Sequence, residues 1–479
     1  MNFVVNLSFS LTIGLAAFGA HANQTNYVAG DMFTLTNLST APNGAWSWFE
    51  DNRVIVDASN PAGPMLLVSS VSAASSGSER GDVDLLWRNL ATRQQGNFEL
   101  HNRLQQDDHD SAALYVRTDG RYLAMYSKHG NDNFTRFRVS TNPNDPTSWG
   151  PAQSRNAGAR ATYNNIHFLP EDNNGEGRLY NITRTVNWDP NIQISNDQGS
   201  TWTNAGKLLT QGGSRDRPYL KYASDSSRIH FIATEEHPHD FNNSIYHGYI
   251  QDGKLYNSSG QVKDNNLFNG SGVSPTQLTT VLAANSQHNG VSAQRMWTVD
   301  LELDNAGNPV GILSGRANGS RDDHRFYYAQ YDGSQWHVNE LGKAGGYLYD
   351  GQWDYTGLVA IDPDDPRIVY MSSEIDPRDD LSTDKYEIYR GITNDLGSTW
   401  SWEAITENST VDNLRPIVPE WNTDQTALVW MRGNYNTFRD WDTEVVGLVL
   451  VPEPKSILLL SFGAFAFLRR PVLKRRAIN

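Results

Sequence analysis

Residues 195–202 read Ser-Asn-Asp-Gln-Gly-Ser-Thr-Trp, and residues 393–400 read Thr-Asn-Asp-Leu-Gly-Ser-Thr-Trp. Each is a turn with a mechanism: the Asp side chain accepts from turn amides, the Gly supplies a positive φ, and the Trp packs beneath the hairpin the turn closes. Between and around the two copies, short β-compatible runs recur at 53–57, 65–71, 83–87, 112–117, 122–128, 178–184, 228–234, 244–250, 309–314, 325–331, 367–373, 386–392 and 426–432. Asp-Gly, Asn-Gly and Asp-Pro pairs punctuate them, and almost no stretch keeps a helical period. The chain is therefore expected to be all-β.

The repeated octapeptide fits S/T-x-D-x-G-x-T-W and resembles the Asp box, or BNR repeat, of β-propellers, where it caps the hairpin between the outer strands of a blade. It is structural, so no chemistry is assigned to it. At 50–60 residues a blade, residues 23–450 hold about seven, which predicts a seven-bladed β-propeller with its site at the central axis.

Composition narrows the function. There are 479 residues, 39 Lys+Arg against 54 Asp+Glu, 14 Trp, 21 Tyr and no cysteine. The last count excludes disulfides, thiolate metal sites and cysteine nucleophiles together. Residues 1–22 are apolar and end in Ala20-His21-Ala22, as a signal peptide does. Residues 451–479 run from Val451-Pro452-Glu453-Pro454 through an apolar stretch into Arg469-Arg470 and Lys474-Arg475-Arg476. They resemble the PEP-CTERM sorting tails of Gram-negative bacteria, which implies an exosortase-type enzyme as partner and an exported protein. A plain membrane anchor is the competing reading. The tail carries one acid and six bases, a net of +5, and residues 1–22 carry no charge, so the formal −15 becomes −20 for residues 23–450. So acidic a body argues against nucleic acid. An anionic substrate then needs a locally basic groove.

The most loaded stretch runs from Asp107-Asp108-His109-Asp110 to Lys128-His129-Gly130-Asn131-Asp132, with a turn at Thr118-Asp119-Gly120-Arg121. If Gly120 takes the left-handed position of a three-residue loop, Arg117 pairs with Arg121 and, counting outward, His109 with His129. Both imidazoles then share one face at the open end of the hairpin. A two-residue turn would send them to opposite faces. Further candidates are Ala161-Thr162-Tyr163-Asn164-Asn165, the strand 178–184 ending in Arg184, Ser214-Arg215-Asp216-Arg217-Pro218-Tyr219, and Glu235-Glu236-His237-Pro238-His239-Asp240. Ser320 to Arg325 reads instead as a solvated charged loop.

Together the hairpin, SRDRPYLKY (214–222), EEHPHDFNNSIYHGYIQDGKLY (235–256) and the Asp boxes resemble the seven-bladed ulvan lyases over most of residues 40–440; the C-terminal third matches only in its propeller pattern. The resemblance implies β-elimination on an anionic polysaccharide of sulfated rhamnose and uronic acids, with no cofactor required for catalysis. It assigns His109 as the catalytic histidine and His129 as its support, with Tyr163 and Arg184 as the tyrosine and the carboxylate-neutralising arginine. Tyr219 is a candidate second tyrosine, with Tyr222 and Tyr246 as rivals, and Arg217, Tyr246 and Asn165 are candidate substrate-binding residues. Such chemistry needs a cation on the uronate carboxylate, a base for the C5 proton and an acid for the leaving oxygen. The resemblance also allows a structural metal ion, for which His237, His239 and Asp240 are candidate ligands. A monomer is expected. Two competitors share the propeller: a non-catalytic glycan-binding protein, and a sialidase, whose Arg-Ile-Pro signature is missing from the N-terminal region.

Overall fold

The computed structural model describes residues 30–36, 43–73, 80–211, 217–422 and 424–450. The expected signal peptide at 1–22, the expected sorting tail at 451–479 and Ser214-Arg215-Asp216 lie outside them. The described residues form seven antiparallel sheets and no α-helix, arranged as the blades of a β-propeller. Blade 1 is built from strands 54–57, 65–71, 83–89 and 95–101, blade 2 from 113–116, 122–127, 134–139 and 153–156, and blade 3 from 166–169, 178–184, 190–195 and 203–207. Blade 4 begins at 220–224, blade 5 is dominated by the long strand 291–303, blade 6 begins at 359–361, and blade 7 runs through 412–417, 426–437 and 440–450. The strand Gly30–Thr34 then pairs with 440–450, Gly30 opposite Leu450 and Thr34 opposite Val446, so the start of the chain closes the last blade. An outermost strand supplied from the other end of the chain ties the ring together through backbone hydrogen bonds and leaves fewer unpaired edges.

Both Asp boxes lie where the sequence places them, between the third and outermost strands of blades 3 and 6. Asp197 accepts from the backbone and hydroxyl of Thr201 (2.8 and 2.6 Å), and Asp395 does the same with Thr399 (2.9 and 2.7 Å). Gly199 and Gly397 each take φ +81°. At Gly397 a side chain is excluded twice, because a Cβ there would also sit 2.5 Å from the Tyr328 ring of blade 5. The box thus pins its blade to the preceding one.

The innermost strands all run the same way along the axis. Asp107 to Ser111 enters blade 2, Tyr163 precedes blade 3 and Tyr219 precedes blade 4, so these residues gather at one end. At the other end lies an axial cavity of about 300 Å³, lined by the inner strands of all seven blades and by Asp51, Arg53, Lys221, Asp300 and Glu302. Between the two ends the axis is filled by rings: Trp48 lies 4.3 Å from Phe49 and 4.7 Å from Tyr355, and Phe49 lies 4.6 Å from Tyr219 and 5.7 Å from Trp297.

Candidate active site

The hairpin of blade 2 uses the three-residue loop. Gly120 has φ +77°, the Arg117 N–H donates to the Arg121 carbonyl at 2.8 Å, and Ala113 pairs with Met125. Carried outward, that register sets His109 against His129, and their rings stack at 4.0 Å and 14°. His109 sits on a 3-10 turn, Asp108–Asp110, whose capping residue Asp107 accepts from the His109 backbone N–H. The same carboxylate then holds both rings, Oδ1 at 2.7 Å from His109 Nδ1 and Oδ2 at 3.0 Å from His129 Nδ1. Asp108 Oδ1 adds a second contact to His109 Nδ1 at 2.8 Å. With both Nδ1 atoms so engaged, each Nε2 is the nitrogen left for other partners.

The two imidazoles are pushed apart in charge. Burial opposes a charge on His109, but Asp108 and Asp107 overcome it and hold the ring well above the usual histidine range. His129 is driven down to about 4 by burial and by the positive charge on His109. Asp107 stays ionised despite burial because both rings hydrogen-bond it. Neutral His129, its Nδ1–H donated to Asp107, presents a lone pair at Nε2; charged His109 presents an N–H.

Across from this pair stands Arg184. Its strand is reached from Thr162 by a two-way backbone bridge, Thr162 N–H to Arg184 carbonyl at 3.0 Å and the reverse at 2.9 Å. That bridge brings Tyr163 under the guanidinium, 4.5 Å from its ring, at a φ of +61°. A left-handed tyrosine costs about 1–2 kcal/mol, so the surrounding packing enforces it. The Glu171–Glu176 insertion lies at the far end of the strand and leaves this juxtaposition untouched. Arg184 is 4% exposed and donates from Nη1 to the Tyr219 hydroxyl at 3.1 Å, yet its Nε and Nη2 have no hydrogen-bond partner among the described residues. Burial would raise Tyr219, but Arg184 and Arg217 outweigh it and bring the phenol below its usual value; Tyr163 is pushed well up by burial. Trp188 lies between the two arginines, 5.2 Å from Arg184 and 4.6 Å from Arg217.

His109, His129, Tyr163, Arg184 and Tyr219 therefore converge, with Arg217 at their edge. Two other candidates do not join them. Asn165 is buried and donates to the Ile182 carbonyl at 2.8 Å, which makes it a bracket for the inner strands of blade 3. Tyr246 packs in the core between blades 3 and 4 and donates to Glu235 at 2.9 Å. His237, His239 and Asp240 line an open hollow of about 230 Å³ with Arg217 and Gln352. They form no tight ligand set: the His239 N–H donates to His237 Nδ1, the His237 ring packs on Tyr219, and the His239 ring stacks on Trp353. Among the described residues the one set of metal-ligand atoms within 4.8 Å of each other is Asp107, His109 and His129, and these atoms are spent on one another. In the 320–325 segment Ser320, Arg321 and Asp322 are exposed, as expected of a solvated loop, and burial sets in after them. His324 is buried, and the Arg321 guanidinium lies 3.4 Å over Trp353.

Several site residues come from the C-terminal third and were not singled out by sequence. Phe438 stands edge-on to both histidine rings, at 5.5 and 5.9 Å. Arg439 reaches Asp107 Oδ2 at 3.2 Å. Arg415 and Tyr435 hold Asp108 Oδ2 at 2.6 and 2.5 Å. In sequence, the signal for Arg415 is a lone cation inside the apolar run Leu414-Arg415-Pro416-Ile417.

A seven-bladed propeller with Asp boxes and a polar site at one end of its axis defines the class. The family model described as "BNR repeat-containing family member" matches residues 71–344, and the chain belongs to that family. Three solved structures are similar to it over nearly their whole length. An ulvan lyase of the PL25 polysaccharide lyases, bound to -[GlcA(1-4)Rha3S]-, aligns with TM-score 0.60 and 13% identity, over 89% of this chain and 96% of its own. A second structure of a PL25 ulvan lyase gives TM-score 0.61 and 13% identity over 85% and 94%. The polysaccharide lyase Uly1 gives TM-score 0.52 and 11% identity over 91% and 94%. No curated protein matches the sequence.

Proposed function

We propose that this protein is a polysaccharide lyase that cleaves ulvan by β-elimination at the uronate. The observation that carries the reading is Arg184, a buried guanidinium with two unmatched donors, facing two imidazoles, one charged and one neutral, held on one carboxylate. An unmatched buried cation calls for an anion, and a carboxylate matches its fork. With the uronate carboxylate on Arg184, the C5 proton is acidified because the developing negative charge delocalises onto a neutralised group. Neutral His129 or the depressed phenol of Tyr219 is the base, and the imidazolium of His109 is the acid that protonates the leaving oxygen. Arg217 and Trp188 supply a cation and a ring face for the neighbouring sugar. No residue in this scheme requires a metal or organic cofactor. The similarity of the fold to ulvan lyases supports the substrate class, and the leader and the PEP-CTERM-like tail support export and sorting by an exosortase-type enzyme.

The test is ultraviolet absorbance of a conjugated unsaturated uronate on incubation with ulvan, with other uronate polymers and a sialoside as controls. A rise with ulvan that vanishes in Arg184→Ala is expected. Binding of ulvan without any rise would replace this reading by a glycan-binding propeller.

A further inference from the structure

Blade 7 is distant in sequence from the histidine hairpin, yet it grips the carboxylate behind His109. The innermost strand of that blade breaks register between Leu414 and Ile417, and Arg415 within the break has φ +52°. A bulge of this kind re-aims a side chain, and a non-glycine residue in the left-handed region persists only where its surroundings over-determine it. Here the backbone is fixed by the Arg415 N–H, which donates to the Gly357 carbonyl at 2.8 Å. The guanidinium is 1% exposed, lies 4.3 Å over the Tyr435 ring and 5.3 Å over Trp48, and donates from Nη1 to the Trp46 carbonyl and to Asp108 Oδ2. The Tyr435 hydroxyl donates to the same oxygen. The opposite oxygen, Oδ1, faces His109 Nδ1 at 2.8 Å. Asp108 is thus a bridge with two donors at one end and the imidazole at the other.

We propose that Arg415 is a positioning residue for His109, acting through Asp108 with Tyr435 as its second hand; the inference rests on the lyase reading, in which His109 reacts. A buried ion pair is weak evidence for stability, since apolar replacements of similar volume are often neutral or better. Fixing the geometry and strength of the contact between Asp108 and His109 is a role that apolar packing cannot fill. The other charged or titratable groups around His109 are Asp107, Asp110, Glu50, His129, Tyr163, Arg184 and Tyr219, with Arg439 behind Asp107. On blade 7 the Arg415 and Tyr435 side chains donate to the Asp108 carboxylate, and the Phe438 carbonyl accepts from the Asp108 backbone N–H at 3.0 Å. The two side chains share the negative charge of the carboxylate and keep its other oxygen against Nδ1. Without the guanidinium, Asp108 gives its whole charge to the imidazolium.

The sign of the effect follows. In Arg415→Met the limb of the pH–rate profile governed by His109 moves to higher pH, by about one unit, and kcat at neutral pH falls. KM changes less than twofold, because Arg415 lies behind the cleft. Arg415→Lys restores part of the wild-type profile. Should Arg415→Met fail to fold, Tyr435→Phe removes one hydroxyl only and shifts the same limb upward by less. The readouts are the pH profile of ulvan elimination and, independent of turnover, an NMR titration of the His109 ring in the full chain. A His109 titration that is unmoved in folded Arg415→Met, or in Tyr435→Phe should the former not fold, with only thermal stability reduced, would show a structural anchor and overturn the proposal. A wild-type protein without elimination on any uronate polymer would sink the lyase reading, while the NMR titration still decides whether blade 7 sets the charge of His109.

Discussion

Among the described residues two histidine pairs stack, and only one of them shares a carboxylate. His109 and His129 stack at 4.0 Å with Asp107 across both Nδ1 atoms and Asp108 on one. In blade 4, His230 and His247 stack at 5.3 Å, with His230 Nδ1 3.1 Å from His247 Nε2 and Ser258 Oγ 2.8 Å from His247 Nδ1. No carboxylate lies within ion-pair reach of either ring of that pair among the described residues. Burial brings His230 down to about 4 and His247 well below its usual value, so both are neutral. Imidazole stacking alone therefore makes a packed polar core, and it is the carboxylates that split a pair into a charged and a neutral ring.

The sharpest way to break the comparison is to remove the splitting group or its target. Arg184→Ala should abolish ulvan elimination, by a factor of roughly 10³ or more in kcat/KM, with the fold intact by circular dichroism. Asp107→Asn should cost on the order of 10² in kcat, since it leaves the rings but loses the charge that orders them. Retention of more than a tenth of the wild-type kcat would show that the split is not used. His230→Phe should leave kcat within about twofold, because that pair takes no part in the reaction. Its effect belongs in a urea melt.

The pH dependence of stability separates His109 from the other three rings by sign. His129, His230 and His247 have folded pKa values below the unfolded value, about 6.5, so they take up protons more readily when unfolded. Stability they contribute is complete above about pH 6.5 and is lost as the pH falls toward 4, at roughly 1.4 kcal/mol per unit and group at most. His109 is raised instead, so its contribution is present below about 6.5 and is lost as the pH rises through its folded value. Urea denaturation at pH 7 and pH 5 should show a loss of several kcal/mol at pH 5, and a smaller loss in His230→Phe. Equal losses in the two proteins would remove blade 4 from the account. The smallest effect expected lies far from either pair: Gly397→Ala, at φ +81° and against Tyr328, should cost about 1–3 kcal/mol with the pH profile unchanged.

The Asp boxes and the apolar strands were legible in sequence because each rests on a local rule. So was the pairing of His109 with His129, which one glycine in a three-residue loop decides. The strands that went unread are of two kinds. Outer strands such as Gln153–Asn156 are fully exposed and carry no apolar alternation, and the strand Val291–Leu303 is broken by register shifts that scramble its period. Asn165 and Tyr246 illustrate a limit of reading site residues from segments. The polarity of Asn165 is spent on the Ile182 backbone, a partner that only the fold reveals. Arg415, Tyr435, Phe438 and Arg439 were invisible as site residues for a topological reason: closure of the ring brings residues more than 300 positions away against Asp107 and Asp108.

The aromatic stack of Trp48, Phe49, Trp297 and Tyr355 makes the propeller a cup with a floor. With the axis closed by rings among the described residues, the proposed lyase reading has a saccharide chain lie across the rim, entering and leaving from the side. On that reading the protons of turnover are exchanged at the rim, on the side of the rings where His109 and His129 stand.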